Sequence, residues 1–559
     1  MIMNPDFRQA SGTDSGRGAQ SSPEPEPVPE PAPKTDPLNI SALLEPRAYP
    51  HPVESCELIE THISWVILTG EFAYKIKKPV NLGFLDFSTL EKRLFYCREE
   101  LRLNRRLAAG IYLDVVAITG APEQPVITAL PDRKNQIIDY AVKMQQFPQQ
   151  AQLDRMLLKG ELRAEHLDAF ARRISDFHQQ VDVADETTKY GGPEQVCKPV
   201  QENFEQIRDQ IDVQKYVLIL DELEQWGGSE FKILKPIFEQ RKQGGFIREG
   251  HGDMHLRNLA WINNEPVLFD CIEFNPELRW IDVISDIAFL VMDLQDRQQT
   301  QLAQRFLNQY LEHTGDYAGI AVLPYYLFYR AMVRAKVDAI RAGQAGISRD
   351  EKVEAKKDLA GYLELAQSYT RRATPELIIT RGLSASGKTT ITQTLLEQLP
   401  AIRIRSDVER KRLSGLKANQ SAKAEVGKGL YTSSVTERTY GKLAELAEKI
   451  LDAGYSVIVD ATFLNNSYIK QFKMIATRKQ VPFLILQFSA SEQTLEQRII
   501  NREQGASDAD LAVLEQQLKQ RQDLSNDEKN DVIEINTEEA LDLSGLIENI
   551  QRRAGSELS

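Results

Sequence analysis

Residues 376–389 read Glu376-Leu377-Ile378-Ile379-Thr380-Arg381-Gly382-Leu383-Ser384-Ala385-Ser386-Gly387-Lys388-Thr389. The reading of this stretch decides the architecture of the second half of the chain. A short apolar run that stops at glycine predicts a buried strand, and Lys388-Thr389 opens a helix. Gly382 and Gly387 permit the tight turn between them, so that backbone N–H groups can wrap phosphates. Lys388 reaches the β and γ oxygens of a nucleotide, and Thr389 ligates magnesium.

Further along, strand-like stretches recur between helical ones, at 376–380, 401–406, 456–460, 483–488 and 532–535, and in 401–406 Ile402 and Ile404 take one face and Arg403 and Arg405 the other. Strands separated by helices predict parallel βαβ units. The helix carrying Tyr440, Leu443, Leu446, Ala447, Ile450 and Leu451 on one face closes at Gly454. Asp407 is read as ending the second strand, where the crevice of a parallel sheet opens. There it can act as a catalytic base toward a hydroxyl. Asp460 ends the third strand and can hold magnesium through water. Arg498 and Arg502 lie four apart and share a helix face, from which they can close over a transferring phosphate.

A second constellation precedes this one: His251-Gly252-Asp253-Met254-His255-Leu256-Arg257-Asn258. Phosphoryl transfer needs a positioned hydroxyl and cations that neutralise the γ-phosphate. Asp253 is the candidate base. Asn258, five residues on, and Asp270, after Pro266-Val267-Leu268-Phe269, are candidate magnesium ligands. Upstream, 62–68 and 72–77 flank Thr69-Gly70-Glu71 and read as a hairpin. Its second strand offers Lys75 to the nucleotide phosphates, in preference to Lys77, with Glu100 in the following helix (89–107) as partner and Glu99 as competitor. Another strand is expected at 137–147, and from 150 to about 345 the pattern is mainly helical. A small β lobe leading into a helical lobe is the outline of a protein-kinase-like fold.

Two resemblances follow from these residues. Residues 45–345 resemble the aminoglycoside phosphotransferase family through His251-Gly-Asp253-x-His255-x-x-Asn258, Asp270, Asp282 and Asp286. The resemblance implies a bilobal kinase fold, Asp253 as base, and Asn258 and Asp270 as magnesium ligands. Asp270 is followed by Cys271-Ile272-Glu273 where that family has a glycine. Residues 374–555 are similar to the P-loop kinases that include polynucleotide kinases, zeta toxins and small sugar or antibiotic kinases. The similarity lies in Gly382–Thr390, Arg405-Ser406-Asp407-x-x-Arg410-Lys411, Val457–Thr462 and Arg498-x-x-x-Arg502. It implies a nucleotide cradle of Gly382, Ser384, Ser386, Gly387, Lys388, Thr389 and Thr390, with Arg498 and Arg502 as lid arginines.

The expected fold class is therefore multidomain, α/β and α+β: a kinase-like bilobal domain (45–345), a helical linker (346–373) and a P-loop parallel-sheet domain (374–555). Residues 1–37, with proline at alternate positions from Pro23 to Pro33, read as a disordered tail. The chain of 559 residues is too long for one core. Its net charge of −13 disfavours a general nucleic-acid coat. Four widely spaced cysteines read as reduced, buried residues of a cytosolic protein. No apolar run approaches the ~18 residues of a membrane span.

The expected function is ATP- and magnesium-dependent transfer of phosphate to a hydroxyl of a small molecule, in the cytoplasm and away from membranes. The alternatives are a nucleotide-sensing regulator and, less favoured, a kinase of nucleic-acid 5′-hydroxyls.

Overall fold

A computed structural model describes residues 38–83, 85–130, 137–210, 215–344, 346–372, 374–416, 432–501 and 511–555. The proline-rich tail and Arg502 lie outside them. The N-terminal lobe contains β1 (Glu57–Glu60), β2 (Ser64–Leu68), β3 (Phe72–Lys77), α1 (Leu90–Ala108), β4 (Tyr112–Ala121), β5 (Gln124–Thr128) and β6 (Ile137–Gln145). Its six strands form one antiparallel sheet in the order β1-β2-β3-β6-β4-β5. The expected hairpin is β2–β3, turning at Gly70 with φ +93. On β3 the strand period of two sends Tyr74 and Ile76 into an apolar cluster with Leu43, Tyr49 and Ile67. Ala73, Lys75 and Lys77 fall on the other face. Thr89 caps α1 by accepting from the Lys92 amide.

The second lobe comprises α2 (Leu153–Leu158), α3 (Ala164–Gln180), α4 (Pro193–Gln210), α5 (Val217–Gln243), β7 (Ile247–Glu249), β8 (Leu259–Ile262), β9 (Glu265–Leu268), β10 (Trp280–Asp282), α6 (Val283–Asp296), α7 (Thr300–Thr314) and α8 (Leu323–Gly343). Helix α6 is buried along most of its length, with α7 and α8 packed against it and α3 packed on α7. The lobes are tied by Glu249, which pairs with Arg102 and Arg106 of α1 and with Arg279. The expected linker is α9 (Arg349–Ser368). It lies packed along α8, burying Ala355, Leu359, Leu363 and Ala366 on one face.

The C-terminal domain runs β11 (Leu377–Arg381), α10 (Lys388–Gln398), β12 (Ala401–Arg405), α11 (Ser406–Leu413), α12 (Ser433–Asp452), β13 (Ser456–Asp460), α13 (Asn466–Lys479), β14 (Phe483–Ser489), α14 (Glu492–Ile500), α15 (Leu511–Gln520), α16 (Asn526–Lys529), β15 (Val532–Asn536) and α17 (Leu543–Ala554). Its sheet is parallel throughout, in the order β12-β13-β11-β14-β15. The apolar run that opened the reading is the central strand, with every residue buried.

Two expectations change. Asp407 does not end a strand: β12 stops at Arg405, and Asp407 sits in the first turn of α11, where a helix N-terminus favours a carboxylate. Of the four cysteines, all free, Cys97 and Cys271 are buried but Cys56 and Cys197 are only half-buried. The apolar core is also continuous across the two halves. One cluster contains Tyr310 and Tyr317 together with Ile402, Ile404, Tyr440 and Val457. Among the described residues, no helix is long and apolar enough to cross a membrane.

Candidate active sites

The first site lies between the lobes. Lys75 bridges Glu100 at 2.8 Å and Asp270 at 2.5 Å. Glu100 is on the same α1 stripe as Cys97 and Asn104, which faces the sheet and the Asp270 segment. Asn104 accepts from the Cys271 amide at 2.9 Å, and Tyr112 Oη accepts from the Asp270 amide at 3.1 Å. Asp270 itself has φ +64, a conformation a non-glycine residue adopts at some cost. Its side chain remains 42% exposed, so it faces the cleft.

Lys77 shares the inner face of β3, so strand period alone does not separate the two lysines. Depth does. Lys77 is enclosed, pairing with the other Glu100 oxygen at 2.8 Å and with buried Glu273. Burial opposes the charge on both lysines, but the facing carboxylates outweigh it and raise both above the ordinary lysine value. Glu273 is a buried acid paired with Lys77, a role that no spacing in the sequence announced. Glu99, the competitor, points away and pairs with Arg102 and Arg279.

Asp253 accepts from the Asn258 side-chain amide at 2.9 Å and lies 3.4 Å from His255. Burial raises its carboxyl, but His255, His251 and Arg330 hold it below the usual range, so it stays ionised. The Phe269 amide donates to the Asn258 carbonyl, fixing the loop beside the strand that delivers Asp270. Asp286 secures the loop from beneath, accepting from the His251 amide at 2.7 Å and the Gly252 amide at 2.9 Å, with His178 at 3.2 Å. Tyr310 of α7 lies 2.8 Å from the other nitrogen of His178. Buried Asp282 caps α6 and pairs with Arg241.

The second site follows β11. Gly382 (φ +153), Ala385 (φ +63) and Gly387 (φ +85) give the loop its curvature. A Cβ on Gly382 would lie 2.7 Å from Ser386 Oγ and Phe488 O, so the loop closes only around glycine. Lys388 donates to the Leu383 carbonyl at 2.7 Å and the Gly382 carbonyl at 3.0 Å. Thr389 Oγ1 donates to Asp460 Oδ2 at 2.7 Å. Gln517 of α15 brackets Ser384, accepting from its amide and donating to its hydroxyl. Arg498 donates to the Ala385 carbonyl and to Thr537, against the loop.

Ser384, Ala385, Gly387, Lys388, Thr389, Asp460, Arg498, Gln517 and Thr537 border a cavity of about 1430 Å³, which Ser386, Thr390, Arg405, Asp407 and Arg410 also line, while Gly382 shapes the loop without lining the cavity. The residues fit a nucleotide with its metal. The loop supplies N–H groups and Lys388 for phosphates, and the Thr389–Asp460 pair is a hydroxyl–carboxylate set that suits magnesium. In the first site Lys75 suits phosphates, and Asn258 with Asp270 supplies oxygens for a metal. Sequence reasoning missed Lys77 as a participant, Glu273, Tyr112 and Gln517. Tyr112 and Gln517 reach their sites from parts of the chain remote from the motifs they serve, whereas Lys77 and Glu273 lie beside Lys75 and Asp270 in sequence and are singled out only by their burial.

Comparison with known proteins adds the following. A family profile described as an AAA domain matches residues 377–524. An uncharacterized protein of Mycobacterium tuberculosis strain H37Rv is 30% identical over 465 residues, covering 82% of this chain and 89% of that protein. A Mycobacterium bovis protein matches to the same extent. Among solved structures, an amicoumacin kinase in complex with AMP-PNP, Ca2+ and Ami is 16% identical over 58% of this chain and 92% of its own, with a TM-score of 0.36. A sugar kinase from Janibacter sp. HTCC2649 is 20% identical over 32% of this chain and 94% of its own, with a TM-score of 0.25.

Proposed function

We propose that this chain, which belongs to the family of those Mycobacterium tuberculosis and Mycobacterium bovis proteins, is a tandem ATP-dependent phosphotransferase acting on hydroxyl groups of small molecules. ATP with magnesium would supply the transferable phosphoryl group at both sites and neutralise its charge. Lys388 and the loop amides would bind phosphates in the second site, and Thr389 with Asp460 would hold the metal. Asp407, at the rim of the same cavity, would take the proton of the acceptor hydroxyl. In the first site Lys75, held by Glu100, would bind phosphates, Asn258 and Asp270 the metal, and Asp253 the acceptor proton. A cytoplasmic location, where ATP is abundant, goes with this reading.

The observation that carries the proposal is the placement of Thr389, Asp460, Lys388 and Asp407 around one cavity of about 1430 Å³. Pockets for a single drug-sized ligand run roughly 300–1,000 Å³. The space therefore admits an acceptor beside a nucleotide.

The test is an untargeted screen of a metabolite extract with γ-labelled ATP, comparing wild type with Asp253→Ala and Lys388→Ala. Labelled products that vanish in one variant or the other support the proposal and reveal each acceptor. Tight nucleotide binding with no transfer to any compound would sink it in favour of a nucleotide sensor.

A further inference from the structure

We infer that Glu312, contributed by the kinase-like domain, is a positioning residue of the phosphate-binding site in the C-terminal domain. The inference rests on the nucleotide reading of that site. It extends the reading by making the site dependent on a side chain outside its own domain.

Helix α7 faces the C-terminal domain with one side. Arg305, Asn308 and Glu312 recur at intervals of three and four and so share one helix face. All three meet the C-terminal domain. Arg305 pairs with Glu397 of α10 at 2.8 Å. Asn308 donates to the Ala401 carbonyl at 3.0 Å and accepts from the Arg403 amide at 2.8 Å. Strand β12 is an edge of its sheet, and Asn308 satisfies the backbone groups that an edge leaves open. The junction is thus specific, and Glu312 is held at its end.

Glu312 is buried between two arginines. It accepts from Arg405 Nη1 at 2.8 Å and lies 3.7 Å from Arg403 Nη2. Each arginine then reaches Thr389 by a separate route. Arg403 donates to the Thr389 carbonyl at 3.1 Å and to Thr392 Oγ1 at 3.2 Å, fixing the first turn of α10. Arg405 and Asp460 are register partners on β12 and β13, and Arg405 Nε lies 3.9 Å from the Asp460 oxygen that accepts from Thr389. A single carboxylate therefore orients both guanidinium groups behind the residues that would share the metal.

Electrostatics give Glu312 a further task. Two buried arginines side by side repel, and burial with the charge of Arg405 depresses Arg403 below the ordinary arginine value. Glu312 balances them. Without its charge, Asp460 is the remaining carboxylate within 4 Å of Arg405 among the described residues. The guanidinium would then draw Asp460 out of its arrangement with Thr389. Outer groups that orient metal ligands typically change metal affinity by about 10–100-fold when removed.

The experiment measures nucleotide affinity calorimetrically in the full-length chain carrying Lys75→Met and Asp270→Asn, which together weaken first-site binding with and without metal. ATP is titrated with magnesium and with excess EDTA. In Glu312→Gln the ratio of the two affinities should fall about tenfold, while metal-free affinity holds. Asn308→Ala, which loosens the junction without touching a charge, should lower the melting temperature and leave the ratio intact. An unchanged ratio in folded Glu312→Gln, or an equal fall in Asn308→Ala, overturns the inference. Should Glu312→Gln fail to fold, Arg405→Lys is decisive. A lysine cannot serve Glu312 and Asp460 together, so the ratio should fall, and an unchanged ratio counts against the inference. Absence of any binding that Lys388→Ala removes defeats the nucleotide reading and this inference with it. Normal binding with an unchanged ratio defeats this inference alone.

Discussion

Lys75 and Asp270, separated by 195 residues in sequence, meet at 2.5 Å across the interlobe cleft. Glu100 holds the same ammonium from behind at 2.8 Å. A cation suited to phosphates and a carboxylate suited to metal are therefore brought together, and each keeps the other aimed into the cleft. Because Asp270 has φ +64, its replacement must tolerate that backbone. Asparagine does. Asp270→Asn should fold normally yet weaken magnesium-dependent nucleotide binding at the first site by about 10–100-fold, as loss of a metal-site group does. Titration with a fluorescent ATP analogue, in a Lys388→Ala background, checks it. Undiminished binding would remove Asp270 from the metal site.

The two lysines of β3 should separate cleanly. Lys75 borders the cleft, so Lys75→Met should cost nucleotide affinity and turnover while leaving the fold standing. Lys77 is enclosed with Glu100 and Glu273. Lys77→Met strands buried charge, and breaking such a pair costs about 3–5 kcal/mol. Adding Glu273→Gln to Lys77→Met should recover part of that loss. Chemical denaturation of the wild type and the three variants gives the answer, and equal stability of both single variants would contradict the assignment.

Asp286 should matter for the catalytic loop through stability and turnover together. It accepts two backbone N–H groups and faces His178. Burial raises its carboxyl, but His178, His251 and the backbone donor overcome that and bring it down to about 2. Asp286→Ala leaves those donors unsatisfied inside the protein. It should destabilise by about 3 kcal/mol, since each stranded buried donor costs about 1–3 kcal/mol. First-site transfer should fall even under conditions where the variant is fully folded. A variant with wild-type melting and activity would show that the loop needs no such support.

Stability should respond to pH through Asp338 on α8. It is buried, and among the described residues one of its oxygens has no hydrogen-bond partner. Burial first, then the charges of Asp358 and Asp296, push it up to about 6, against the partial opposition of Arg334 and Arg341. The folded state thus keeps this proton to higher pH than the unfolded chain, whose aspartates release it near ~3.9. Stability therefore falls as pH rises from about 4 to about 6, then stays lowered. Asp338→Asn should gain about 2 kcal/mol at pH 7.5 and almost nothing near pH 4, since each tenfold difference in proton affinity between the two states is worth ~1.4 kcal/mol and solvent near the group screens part of that sum. Thermal denaturation across that range is the measurement, and a gain independent of pH would exclude this origin.

The local pieces follow from neighbouring residues alone. Gly382 to Thr389 must turn tightly between strand and helix, because glycine at 382 and 387 opens backbone conformations that other residues resist. The strands around 456–460 and 483–489 were legible because buried parallel strands are nearly continuous apolar runs, and 401–405 because Ile402 and Ile404 alternate with Arg403 and Arg405. Asp253, Asn258 and Asp270 were legible as a group because their spacing is local. The contact between Lys75 and Glu100 could be anticipated from the strand and helix that carry them. Strand period could not show that Lys77 joins the same carboxylate from below. That was settled by long-range packing, because burial depth depends on which distant segment covers a face. It also placed Asp407 in a helix turn, and laid α9 along α8. It set Gln517 against Ser384 and Glu312 between Arg403 and Arg405. Those partners lie far apart in sequence, and their charges and hydrogen bonds carry no periodicity that a chain read in one dimension can reveal.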